Sequence, residues 1–359
     1  MLRSAPLAVS PFLAGALTLF LGLSILALAF TFSPKAQSGP LDRASDLSEI
    51  SEGLADLAAR IRPGTVYLEV EQKSKGRREG GMGSGFVVDT VRGLVVTNSH
   101  VVGGPDSIVT VVLADGRRDS GTVVGLDPQS DVALVRISPG MATHRLEWGD
   151  SDSLRPGHLV LALGSPLGRT FSTSFGVVSA LGRTDLQLPV KGAYQDFIQF
   201  DAFIDHGSSG GPLLDMEGRV VGINTAIGGS LDAWQGISYA VPEALARRVV
   251  EALAENGETR RGWLGVSTAG GEVTASYADA VGLDRPYGVR VRKVTPDSPA
   301  EKVGLRRGDI ILAVDGYEIS SHEQLRSRLA ALGPGIRVRL RLWRDRATKT
   351  VEVRLAERL

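Results

Sequence analysis

Between Thr65 and Val241 the chain is cut into short β-rich runs bounded by turn residues. Residues 66–70, 85–88, 94–97, 108–113, 132–137, 159–163, 176–180, 198–200, 212–215 and 220–224 follow one another with no long helical pattern between them. Many short strands at this spacing predict a barrel or a sandwich. Forty-four glycines and only 6% aromatics suit such a turn-rich, mostly β chain. At 359 residues the chain exceeds one ordinary domain, for which about 100–200 residues are usual, so two or three are expected.

Residues 7–32 are apolar, broken only by small or hydroxyl side chains and an early proline. A membrane-spanning helix needs roughly 20 such residues, whereas the apolar core of a signal peptide has about 7–15. Length favours an uncleaved anchor over residues 1–32, while Ala27-Leu28-Ala29 is a pattern that a signal peptidase cuts. Either way the rest of the chain leaves the cytoplasm. Arg3 on one side and Lys35 on the other give little orientation by charge. Residues 33–44 read as a linker, followed by a helical stripe at Leu47, Ile50, Leu54, Leu57 and Ile61. A second helix is predicted at 243–254, closed by Glu255-Asn256-Gly257. The larger domain then covers 45–255, and a smaller mixed domain covers 256–359, with a helix at 323–332.

The formal charge is zero and the arginines are scattered, which gives no electrostatic reason to expect nucleic acid as a partner. Absence of cysteine excludes disulfides, thiolate-bound zinc and a thiol nucleophile. The histidines do not pair at metal-ligand spacing, so no metal or other cofactor is expected.

Three motifs carry the chemistry. His100 ends the run Leu94-Val95-Val96-Thr97, Asp131 opens Val132–Ile137 in the sequence, and Ser209 sits in Gly207-Ser208-Ser209-Gly210-Gly211. Singly, each has an ordinary reading: a strand-end histidine, a turn aspartate, a flexible glycine loop. Together and in this order they supply a nucleophile, a base and a group that orients the base. Glycines on both sides of the serine leave backbone N–H groups free to hold an oxyanion. The serine turn also matches the nucleophile elbow of α/β-hydrolases, but a strand and a turn follow it rather than a helix, and His322 lies in the other domain. Gly81-x-Gly83-x-Gly85 precedes a strand, which argues against a nucleotide loop.

Four ordered segments, Gly83-Ser84-Gly85-Phe86-Val87-Val88, Thr97-Asn98-Ser99-His100-Val101-Val102, Ser130-Asp131-Val132-Ala133-Leu134-Val135 and 207–213, resemble the HtrA/Deg family of trypsin-like serine proteases carrying a PDZ domain. The layout resembles its membrane-anchored DegS/AlgW type, as does His206 before the serine turn. The resemblance implies a double β-barrel protease, catalysis by His100, Asp131 and Ser209, an oxyanion held by the N–H groups of Gly207 and Ser209, and an apolar primary pocket lined by Phe203 and Ile204. The family usually has Asn where this chain has Ser208, which implies a different resting conformation of the oxyanion loop. Arg261-Gly262-Trp263-Leu264-Gly265-Val266 resembles the carboxylate-binding loop of the family's PDZ domains, with Leu325 and Leu329 facing the peptide groove or filling the core. The implied protein is a periplasmic endopeptidase of the bacterial inner membrane. It cleaves exposed polypeptide, is regulated by C-terminal peptides of envelope proteins and assembles as a homotrimer. Anti-sigma-factor cleavage in stress signalling, general envelope quality control, and a non-hydrolytic PDZ scaffold are the three roles to separate.

Overall fold

Alternation along β1 (Thr65–Ser74) turns Val66, Leu68 and Val70 inward, where they are fully buried, and leaves Tyr67 and Glu69 nearer the surface. The computed structural model describes residues 40–74, 77–165, 171–184, 186, 190, 192–227 and 236–357. β2 (Arg77–Asp89), β3 (Leu94–Thr97), β4 (Ile108–Leu113), β5 (Arg118–Asp127) and β6 (Val132–Arg136) join β1 in a closed antiparallel barrel of order β1-β2-β3-β6-β5-β4. Its interior is mostly valine, a β-branched residue that packs well on a pleated surface. Gly85 is required in β2, because a Cβ there would meet the Val96 carbonyl at 2.7 Å.

A second closed barrel, ordered β10-β11-β12-β9-β8-β7, is built from β7 (Leu159–Gly164), β8 (Ser172–Arg183), β9 (Phe197–Phe200), β10 (Pro212–Leu214), β11 (Val220–Ile227) and β12 (Ser238–Pro242). The helix Glu243–Asn256 follows, buries Leu245, Ala246, Val249, Val250 and Leu253, and stops at left-handed Gly257. The smaller domain has β13 (Gly262–Trp263) on β21 (Ala356–Glu357), β14 (Val266–Ser267) on β16 (Lys293–Val294), and a five-stranded sheet of β15 (Val289–Arg290), β17 (Ile310–Val314), β18 (Tyr317–Glu318), β19 (Arg337–Arg344) and β20 (Ala347–Arg354). The helix His322–Ala331 starts where Ser321 caps Gln324 N–H, and its Leu325 and Leu329 enter that domain's core.

Several expectations shift. The apolar run at 7–32 lies outside the described residues, among which no helix is long and apolar enough to cross a membrane. The first described helix is Pro40–Ile61, so the last five residues of the expected linker are helical; proline is tolerated in a first helical turn, where its missing N–H has no partner to lose. The chain divides into two compact units, Met1–Ala55 and Asp56–Leu359, the second of which holds both barrels and the smaller domain. Arg326 Nη1 donates to Gly192 O at 2.8 Å, Ser327 Oγ to Gln195 O at 2.9 Å, and Arg328 pairs with Asp152, which ties the smaller domain to the second barrel and its flank.

Candidate active site

His100 lies in the single helical turn Ser99–Val102 just after β3, and Asp131 closes the four-residue turn between β5 and β6. β6 pairs with β3 on one side and β5 on the other, which brings the two segments together. The ring Nδ1 of His100 stands 2.8 Å from Asp131 Oδ2 and 3.0 Å from Oδ1, while the His100 backbone N–H donates to Oδ1 at 3.0 Å. Asn98 Nδ2 donates to the Asp131 carbonyl at 2.8 Å, and Thr225 Oγ1 from β11 donates to Asp131 Oδ2. The carboxylate therefore accepts from three directions, which fixes its plane against the imidazole.

Ser209 arrives from the second barrel. Its turn is held by the first: Ser84 N–H donates to Ser209 O at 2.8 Å, and Ser84 Oγ donates to Gly207 O at 2.6 Å while accepting from Ser165 N–H at 2.8 Å. Gly207 has φ 95° and Gly210 φ 87°. A Cβ on Gly210 would meet Ser84 O at 2.2 Å, so this position demands glycine for space as well as for angle. Ser209 Oγ is directed to Thr225 O at 3.4 Å rather than to His100. Nucleophile–base bonds commonly tighten only when substrate is bound.

Ser208 keeps a negative φ, and the positive angles of the turn fall on Gly207 and Gly210. Its side chain is buried, and Oγ accepts from Asp205 N–H at 3.3 Å. Gly164 abuts it, since a Cβ there would stand 2.8 Å from Ser208 Cα.

A cavity of about 290 Å³ adjoins His100 and Asp131. Its apolar walls come from Pro128, Val190, Ala193, Tyr194 and Phe197. The expected pocket residues do not line it. Past β9 the period of two sends Phe200, Ala202 and Ile204 into the barrel core and leaves Phe203 exposed, with its carbonyl accepting from Ser174 Oγ at 2.5 Å.

Trp263, Leu264, Gly265, Val266, Leu325 and Leu329 do come together, around a groove of about 230 Å³ that also includes His322, Arg326 and Tyr194. Leu325 and Leu329 thus face the groove and the core at once. Gly265 has φ 87°, and a Cβ there would stand 2.1 Å from Ser298 Cβ. Ser84, Asn98 and Thr225 were not singled out from sequence, although Ser84 and Asn98 lie inside recognised motifs. Among the described residues only Tyr194 borders both cavities, and no sequence signal marked it.

Family comparison agrees with this geometry. A trypsin-like peptidase domain matches residues 83–223 and a PDZ domain matches residues 262–355. A Haemophilus influenzae protein described as "Probable periplasmic serine protease do/HhoA-like" is 36% identical over 93% of this chain and 77% of its own length. The chain belongs to the HtrA/DegP family of serine proteases. It is a serine endopeptidase with a trypsin-like double barrel and a PDZ domain. Another HtrA-family relative, the "Periplasmic pH-dependent serine endoprotease DegQ" of Escherichia coli, is 40% identical over 77% of this chain, which spans 59% of that protein. Among HtrA structures, "HtrA-type protease AlgW with tripeptide" superposes with a TM-score of 0.66 at 34% identity, over 85% of this chain and 97% of that one.

Proposed function

We propose that Ser209 is the nucleophile, His100 the general base and Asp131 the carboxylate that orients it, in a periplasmic endopeptidase acting on exposed polypeptide. The observation that carries this reading is the His100–Asp131 contact at 2.8 Å, beside a serine turn clamped between the two barrels. Ser209 Oγ attacks the peptide carbonyl as His100 Nε2 takes its proton, and the imidazolium then protonates the leaving amine. Asp131 holds the ring with Nδ1–H towards itself and stabilises the cation. The N–H groups of Gly207 and Ser209 receive the oxyanion, where loss of one donor costs about 10²–10³ in rate.

The PDZ groove takes a free C-terminus, which adds a strand beside β14 while the loop around Gly265 holds the carboxylate. Tyr194, on the wall of that groove and of the catalytic cavity, supports regulation by the bound peptide. Likeness along both domains to an AlgW structure with a tripeptide supports peptide capture, and the length of the apolar run 7–32 supports a membrane anchor; the first reading is a trimeric sensor in envelope-stress signalling. The second reading is general proteolysis of damaged envelope proteins, with which likeness to a periplasmic endoprotease is also consistent.

The deciding experiment measures hydrolysis of an unfolded substrate by the purified full chain, with and without a peptide ending in a free hydrophobic carboxyl terminus. The expected result is Ser209-dependent hydrolysis that the peptide accelerates. Hydrolysis indifferent to peptide favours general quality control. Equal turnover by Ser209→Ala overturns the catalytic assignment, and a chain that binds peptide but hydrolyses nothing is a scaffold.

A further inference from the structure

Asp127 ends β5 opposite Val132, and the four residues between them form the turn whose last member is Asp131. Asp127 is buried, with only 5% of its surface exposed. Its Oδ2 accepts from Ser130 Oγ, inside the same turn, and from Arg261 Nη2, which belongs to the PDZ domain and directly precedes β13. Arg261 is 11% exposed at the side chain. Burial pushes its pKa down to about 10, which leaves it charged at neutral pH. Its guanidinium lies 4.9 Å from the centre of the Tyr194 ring, and Tyr194 N–H donates to Gln129 O at 2.7 Å in the same catalytic turn. The turn is thus tied at two points, and Arg261 touches both.

We propose that Arg261 is a positioning residue for proteolysis: through Asp127 and Ser130 it fixes the turn that presents Asp131 to His100. Asp131 has φ 56°, a conformation that a non-glycine residue keeps only when its surroundings impose it. Asn98 and His100 hold the aspartate from the side of β3, and Asp127 holds its neighbour Ser130 from the other. A carboxylate buried without its cation takes up a proton or draws in water, and either change alters the acceptor that Ser130 needs. The PDZ domain thereby supplies part of the catalytic framework through a contact distinct from peptide capture. The inference rests on the assignment of Asp131 to the triad.

The test uses the full chain carrying Arg261→Met, Arg261→Lys, Ser130→Ala and the Arg261→Met/Ser130→Ala pair, with Ser209→Ala and Asp131→Asn as controls. Displacing a catalytic group by about 1 Å can cost about 10²-fold. Arg261→Met is therefore expected to lower kcat by about that factor with KM within about twofold, to weaken the downfield proton resonance of the His100 Nδ1–H, and to be largely rescued by Arg261→Lys. Ser130→Ala removes only the link inside the turn, so it keeps the test open if Arg261→Met does not fold; it is expected to lower kcat similarly. The double variant is expected to be no worse than the poorer single one. Unchanged kcat in both single variants, additive losses in the pair, or full recovery of Arg261→Met by saturating C-terminal peptide each overturn the proposal. Undiminished activity in Asp131→Asn or Ser209→Ala overturns the triad itself, a different failure.

Discussion

Ser84 grips the turn that carries the proposed oxyanion donors. Its hydroxyl is fully buried, donating to Gly207 O and accepting from Ser165 N–H. Ser84→Ala leaves both partners buried without their bond, which costs about 1–3 kcal/mol. It also frees the Gly207 carbonyl to rotate, so the neighbouring N–H groups lose their aim. The expected outcome is a lower melting temperature together with a fall in kcat of about tenfold or more at little change in KM. Thermal denaturation and steady-state kinetics on one preparation check this; a stability loss with unchanged kcat refutes the role in aiming the oxyanion turn. Sequence marked the segment holding Ser84 but not its function, because the carbonyl it grips lies 123 residues away in the chain.

Among elements, the loop between β13 and β14 is the most exacting. Gly265 has a backbone that L-residues avoid at a cost of about 1–2 kcal/mol, and its missing Cβ makes room for Ser298. Ser298 in turn caps the short helix Pro299–Lys302 by accepting from Glu301 N–H. Gly265→Ala should therefore displace the loop and weaken binding of a peptide with a free hydrophobic C-terminus by about tenfold or more, since about 1.4 kcal/mol is a factor of ten. Calorimetric titration reads the affinity, and an unchanged Kd would refute the loop as the carboxylate site. The groove was legible in sequence because its glycine loop is continuous and the helix residues Leu325 and Leu329 recur at a spacing of four. Tyr194 was not, because it enters from another domain.

At the scale of the whole molecule, the junction of protease and PDZ domain contains a buried carboxyl. Asp196 accepts from Tyr317 Oη at 3.2 Å and from Gln324 Nε2 at 3.4 Å, with the Arg328–Asp152 ion pair beside it. Burial is the larger influence and raises its pKa to about 6, against the opposing pull of Arg328. The folded chain thus keeps a proton that the unfolded chain has released between about pH 4 and 6. The stability this contributes is complete below about pH 4 and is lost as pH rises through 6. At about 1.4 kcal/mol per pKa unit the loss is on the order of 3 kcal/mol. Asp196→Asn, which keeps an oxygen acceptor, should raise the melting temperature at pH 7.5 and have little effect at pH 4. Denaturation of both proteins across that range tests it, and equal shifts at both pH values would refute it.

The sequence by itself determined the strand alternation, the order of His100, Asp131 and Ser209, and the glycines of the serine turn and of the loop between β13 and β14. Those are local properties: a period of two, a required backbone angle, a residue type suited to one chemistry. Only the tertiary structure decided that Ile204 faces the core, that Ser84 grips the serine turn, and that Arg261 reaches Asp127. Each depends on barrel closure or domain docking, which brings together groups whose separation along the chain carries no periodic signal.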